Sequence, residues 1–169
     1  MKNSVRASLA FLVLTLSLAD FALADQAADA FAAYKRRDYA AAIRLCRAPA
    51  EKGSKWCQTM LAASFSQGVG VPQNHAEALK WYRMAAAQGD AAAQNSLGGL
   101  YASGKGVPQD YVQAHKWYSL AAASDAEDKD REIFMKNRNT LAAKMTPAQI
   151  ADARKLAREW QPKMEGGRN

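Results

Sequence analysis

The chain has 169 residues, a formal net charge of +7, 49% hydrophobic and 23% charged residues, and two cysteines. That length suits one domain or one short array of repeats. Alanine, the best helix former, occurs 37 times, whereas only seven Ile or Val follow residue 24. The balance argues against β-sandwich, β-barrel and parallel-sheet α/β folds and predicts an all-α protein.

In chain order, the first segment reads as an address. Lys2 and Arg6 precede an apolar run from Ala10 to Leu18, and Ala22-Leu23-Ala24 supplies small residues at a cleavage site. This pattern predicts a secretory signal peptide over residues 1–24, cut between Ala24 and Asp25, and a periplasmic or secreted mature chain. The competing reading is an N-terminal anchor, but the run is short for a bilayer and Asp20 follows it closely. No stable membrane insertion is expected after cleavage. Losing Lys2, Arg6 and Asp20 would take the formal charge from +7 to +6. Lys35-Arg36-Arg37 is the only tight basic cluster, placed where a helix end favours cations. With export expected, nucleic acid is not an expected partner.

The next hundred residues repeat. Residues 60–90 and 96–126 align without a gap at an offset of 36, with 13 of 31 positions identical. Each copy predicts two helices. The first carries Leu61 and Phe65, or Ala93, Leu97 and Tyr101, at helical spacing. It ends at GVGVPQN or GKGVPQD, where Gly68 and Gly70, or Gly104 and Gly106, permit left-handed backbone. Asn74 or Asp110 then caps a second helix. That helix presents Ala78, Trp81, Tyr82, Ala85 and Ala86, or Ala114, Trp117, Tyr118, Ala121 and Ala122, on one face. One hairpin cannot cover such a stripe, so neighbouring hairpins must stack.

The pattern L-x3-[FY]-x2-G-x-G-V-P-x-[ND]-x3-A-x2-W-Y-x2-A-A resembles the Sel-one-like repeat, a relative of the tetratricopeptide repeat. The units are assigned as 25–54 (degenerate, lacking the GxGVP loop), 55–90 and 91–126, together a solenoid over 25–126. The resemblance implies a right-handed α/α solenoid of about three hairpins that works as a protein-assembly adaptor, often in the bacterial envelope. Residues 127–162 do not repeat. They predict a two-helix cap: Arg131–Lys144 with Ile133, Phe134 and Leu141 apolar, then a helix opened by the Thr146-Pro147-Ala148-Gln149 capping box. Residues 163–169 read as a tail.

The candidate sites are few. Cys46 and Cys57 lie nearly equidistant from the Glu51–Ser54 turn, so export favours a disulfide between them, against two buried free thiols. His75 and His115 lie in different repeats without a zinc-ligand spacing, so no metal is expected. There is no GxSxG, SxxK, HExxH or Walker loop, so no catalytic residue and no cofactor is assigned. A cysteine-rich branch of the family is linked with β-lactam binding and hydrolysis; without SxxK none of that chemistry is carried over. In tetratricopeptide-like stacks the first helices line a concave groove. By that resemblance the groove positions are Trp56, Thr59, Ala63 and Ser66, then Ala92, Asn95, Gly99 and Ala102, with Phe31 and Tyr34 from the degenerate unit. Trp56 breaks the repeat, its counterpart being Ala92. It reads either as an anchor for a partner or as a lid packed on the N-terminal hairpin. Trp81, Tyr82, Trp117 and Tyr118 read as core. The expected function is non-catalytic protein or peptide binding. The alternative is an envelope enzyme or regulatory subunit acting on peptidoglycan or β-lactam-like substrates.

Overall fold

The computed structural model describes residues 22–162, and all of its regular structure is helical. The predicted leader lies outside the described residues except for 22–24, as does the tail at 163–169. A first helix, α1, runs from residue 22 to residue 35. It is followed by α2 (Tyr39–Glu51), α3 (Lys55–Gln67), α4 (His75–Ala87), α5 (Ala91–Ser103), α6 (Tyr111–Ala122), α7 (Asp128–Ala142) and α8 (Pro147–Glu159). The first six helices form three hairpins, α1·α2, α3·α4 and α5·α6. No described helix is long and apolar enough to cross a membrane.

The hairpins repeat in detail because the sequence does. Helices α2, α4 and α6 begin after Asp38, Asn74 and Asp110, 36 residues apart, and each of these side chains accepts from the first-turn backbone. Gly68 and Gly104 end α3 and α5 in the left-handed conformation, at φ 72° and 69°. The second glycine of each loop is required for a different reason. A Cβ on Gly106 would lie 2.5 Å from the His75 carbonyl oxygen, and one on Gly70 would lie 2.7 Å from Tyr39 Cβ. Each GxG loop is therefore pressed against the start of the preceding unit's second helix, and only a residue without a side chain fits. The degenerate unit has no such loop. Its turn spans residues 36–38, with Arg37 at φ 63°.

The alanine–aromatic stripe makes the interfaces. Ala78, Trp81, Tyr82, Ala85 and Ala86 are all buried, and Leu61 and Leu97 are completely enclosed, each such leucine contributing about 2 kcal/mol of apolar burial. In the first unit the Trp-Tyr pair is replaced by Leu45-Cys46, and Cys46 forms the disulfide with Cys57, with Cα atoms 5.1 Å apart. Where the later units hold a tyrosine against the next hairpin, this one has a covalent bond.

A second inter-unit device is polar. Gln58 and Gln94, 1% and 2% exposed, donate to the carbonyls of Ala50 and Ala86, at 2.9 and 3.2 Å. Both donor and acceptor recur at the offset of 36. Each glutamine ties the first helix of one unit to the second helix of the unit before. Gln88 adds a bond from its Nε2 to Gln58 Oε1 at 2.9 Å.

The C-terminal pair closes the array, and both of its helices rest on α6. The capping box at Thr146 and Gln149 is present in both directions, with Pro147 opening α8. Two expectations need correction. Helix α7 starts at Asp128, three residues before Arg131, and Ile133 is 51% exposed rather than apolar core. Phe134 and Leu141, seven residues apart, share the buried face, and Ile133 sits a quarter-turn away. Trp117 is half-buried, under Trp160, with ring centroids 6.3 Å apart and edge-on.

Candidate functional site

Helix α3 packs against α4 and α2 and meets α1 through Trp56, and one side of it carries Trp56, Thr59, Met60, Ala63, Ser64 and Gln67. These positions, spaced three and four apart, form one stripe. With Tyr34, Tyr39, Lys55, Val69, Asp90 and Ala92 they line a half-open groove of about 590 Å³. One end is aromatic. Trp56 is edge-on to Phe31 at 5.3 Å and to Tyr34 at 6.2 Å, and Tyr34 is edge-on to Tyr39 at 5.5 Å. Phe31, Tyr34 and Trp56 nonetheless remain 46%, 45% and 36% exposed. Trp56 thus leans on the N-terminal hairpin and also forms part of the groove wall. The rest of the lining mixes small and polar groups. Lys55 and Asp90 stand on its rim, and the Thr59 hydroxyl is buried without a hydrogen-bond partner among the described residues.

Other groove positions fall elsewhere. Phe31 supports Trp56 from behind and does not line the groove. Ser66 lies just beyond the edge of the α3 stripe; Gln67 takes its place, and the Ser66 carbonyl accepts from Gln73 Nε2 at 2.8 Å. Asn95 accepts from Asn137 Nδ2 of α7 at 2.9 Å. Ala102 lines a separate small cavity with Lys136, Asn137 and Lys144 of the same stretch. The cap thus occupies the part of the groove that α5 would otherwise offer. The open groove belongs to the first two units, with Ala92 the one lining residue from the third. Repeat-defining Gly68, Gly70, Trp81, Tyr82, Gly104, Gly106, Trp117 and Tyr118 stand outside its lining. Burial raises the phenols of Tyr82 and Tyr118 above their ordinary value of 10.0, as befits side chains packed in the interior.

Sequence reasoning passed over Met60, Ser64, Val69 and the rim charges. Met60 and Ser64 follow from extending the α3 stripe by one further row, whereas Val69 and Asp90 come from the loops after α3 and before α5 and have no such signal. Also passed over were Gln58 and Gln94, which stand just upstream of the aligned window and match at the same offset. Among the described residues no group of three or more His, Cys, Asp or Glu is placed to hold a metal ion.

Two segments, 57–90 and 91–125, match the model of the Sel1 repeat. The chain belongs to the Sel1-repeat family. Among solved structures, this Sel1-repeat chain resembles a protective antigen present in uropathogenic Escherichia coli strains, which displays an SLR fold. The TM-score is 0.74 and the identity 33%, covering 82% of this chain and 29% of that one. A Sel1 repeat protein from Oxalobacter formigenes matches with TM-score 0.55 and 26% identity, over 69% of this chain and 54% of the other. The Sel1-repeat chain thus spans less than a third of the first relative and about half of the second. No curated protein matches it. The Sel1, tetratricopeptide-like fold is typical of protein–protein interaction scaffolds.

Proposed function

We propose that this Sel1-repeat protein is a non-catalytic binding module of the bacterial envelope, and that its groove receives an extended peptide segment of a partner protein. The observation that carries the reading is Trp56. At that position the next unit has Ala92, yet here a tryptophan stands half-open at the mouth of a 590 Å³ groove. Partly exposed aromatics beside a concavity are the usual anchors of an interface. The unpartnered Thr59 hydroxyl offers a hydrogen bond to a peptide backbone, and Lys55 and Asp90 offer charge to its flanks. An oxidising compartment is supported by the Cys46–Cys57 disulfide, by the leader-like N-terminus and by the antigen relative.

The test uses peptides selected from a displayed library against the purified protein. Trp56→Ala is expected to weaken the selected peptides by about thirtyfold or more, the scale of a hot-spot residue. Helical circular dichroism should stay near wild type. Unchanged affinity would remove the groove from the proposal, and loss of helical signal would make Trp56 a core residue. Thr59→Val, which keeps shape and removes the hydroxyl, should weaken binding several-fold. Cross-linking in the envelope followed by mass spectrometry then names the partner.

A further inference from the structure

A further concavity lies between α6, α7 and α8. It encloses about 340 Å³ and is lined by His115, Ser119, Arg138, Asn139, Arg154 and Arg158, with Ala142, Ile150 and Ala157 forming an apolar wall. No carboxylate is among its lining residues. Arg138 is held by Asn139 Oδ1 at 3.1 Å, and neither Arg154 nor Arg158 forms an ion pair among the described residues. Three arginines thus line one cleft with no carboxylate among its lining residues.

The repeat makes His115 the decisive member. At the offset of 36 its counterparts are Ile43 and Leu79, both buried apolar side chains. Only in the unit covered by the cap is this core position polar. His115 is itself 3% exposed, yet it borders the cleft. Its Nδ1 shares a hydrogen bond with Ser119 Oγ at 3.3 Å, and no protein group is bonded to Nε2 among the described residues. A histidine in place of a leucine, buried among arginines, costs stability unless something rewards its polar edge.

We propose that this cleft is a binding site for a phosphate monoester. Arg138, Arg154 and Arg158 would supply planar, charge-assisted donors to the phosphoryl oxygens, and His115 Nε2 a further one from the floor. The volume exceeds that of a bare phosphate, and the Ala142, Ile150 and Ala157 wall receives a small uncharged organic body. Phosphate suits the site better than a carboxylate because its second ionisation, near pH 6, lies in the range where a histidine also changes charge. Binding a dianion would offset the Arg138 and Arg154 charges and return the imidazole toward its protonated form. The remaining groups near the imidazole do not supply that anion: α5 carries no charged residue, Lys116 is a cation, and Asp152 and Glu159 of α8 are exposed outside the lining.

The purified full chain is titrated with glycerol 3-phosphate at constant ionic strength, with chloride as the control. The imidazole resonances of His115 and His75 are followed by NMR. The expected result is saturable movement of His115 alone, with a rise in its pKa. Arg154→Gln combined with Arg158→Gln, on exposed positions of α8, should weaken binding by about tenfold or more. His115→Leu restores the residue type of the other units, so it should fold, and it should weaken binding several-fold. Vesicles containing phosphatidic acid, set against neutral vesicles, separate a lipid headgroup from a soluble ester; capture dependent on the same arginines supports the site with lipid as its source. A resonance of His115 that does not move in either arm, or binding unchanged in both variants, would overturn the proposal.

Discussion

His115 shows how one residue can change a repeat's chemistry without changing its fold. Its place in α6 is a core position, and the stack closes around it as it does around Leu79. Burial, with the Arg138 and Arg154 charges adding to it, holds the imidazole below its ordinary value of 6.5. The unfolded chain therefore takes up this proton at a higher pH than the folded one. The contribution to stability is complete above about pH 6.5 and is lost as pH falls through 6.5 toward the depressed value. In phosphate-free buffer, the urea midpoint of the wild type should fall more steeply between pH 7.5 and 5.5 than that of His115→Leu. Parallel profiles would mean that the imidazole is not held neutral. The substitution is readable in the sequence, two residues before Trp117, but a lone histidine without a partner at ligand spacing carries no site by itself. Its arginine neighbours come from helices far along the chain, and no local spacing brings them together.

At the scale of elements, the first hairpin differs from the others by its missing loop and by the bond that joins it to α3. Helix α2 still receives the glycine contact of the next unit, from Gly70 at Tyr39; what the first unit lacks is a GxG loop of its own. The disulfide closes a short loop across the 52–54 turn and contributes about 2–3 kcal/mol by restricting the unfolded chain. Replacing both cysteines with alanine should lower the stability measured in urea by that amount, and reductant should produce the same loss in the wild type. An equal midpoint with and without reductant would show that the bridge does not contribute. This pairing, the capping box of α8 and the helix starts at Asn74 and Asp110 were legible because each depends on neighbours within a dozen residues. The exposure of Ile133 was not, because an apolar residue at a helix edge does not reveal which face its partner covers.

For the whole molecule, the cap decides both how the array ends and how much of the groove remains. Helix α7 occupies the place that a fourth unit's first helix would take, and reaches over to Asn95 through Asn137. Helix α8 turns back across α6 and lays Trp160 on Trp117. In a stack held by nearest-neighbour contacts, removing one end weakens mainly the unit beside it. A chain ending at Met145 should melt roughly 5–10 °C lower. Its tryptophan emission should shift to the red as Trp117 becomes wet, while the first two hairpins keep their helical signal. Full loss of helix would mean that the cap holds the entire array. The periodicity announced the solenoid; it was silent about the cap's path, since the cap is the one part that does not repeat.

Tyr34 and Trp56, the two aromatic sides of the groove mouth, stand on different hairpins, and Cys57, the residue after Trp56, joins those hairpins through Cys46. The width of that mouth is therefore set by a covalent tether as well as by packing. In thiol-rich surroundings the same two rings would be held apart by side-chain contacts alone. Electron supply in the compartment thereby becomes one of the dimensions of the groove.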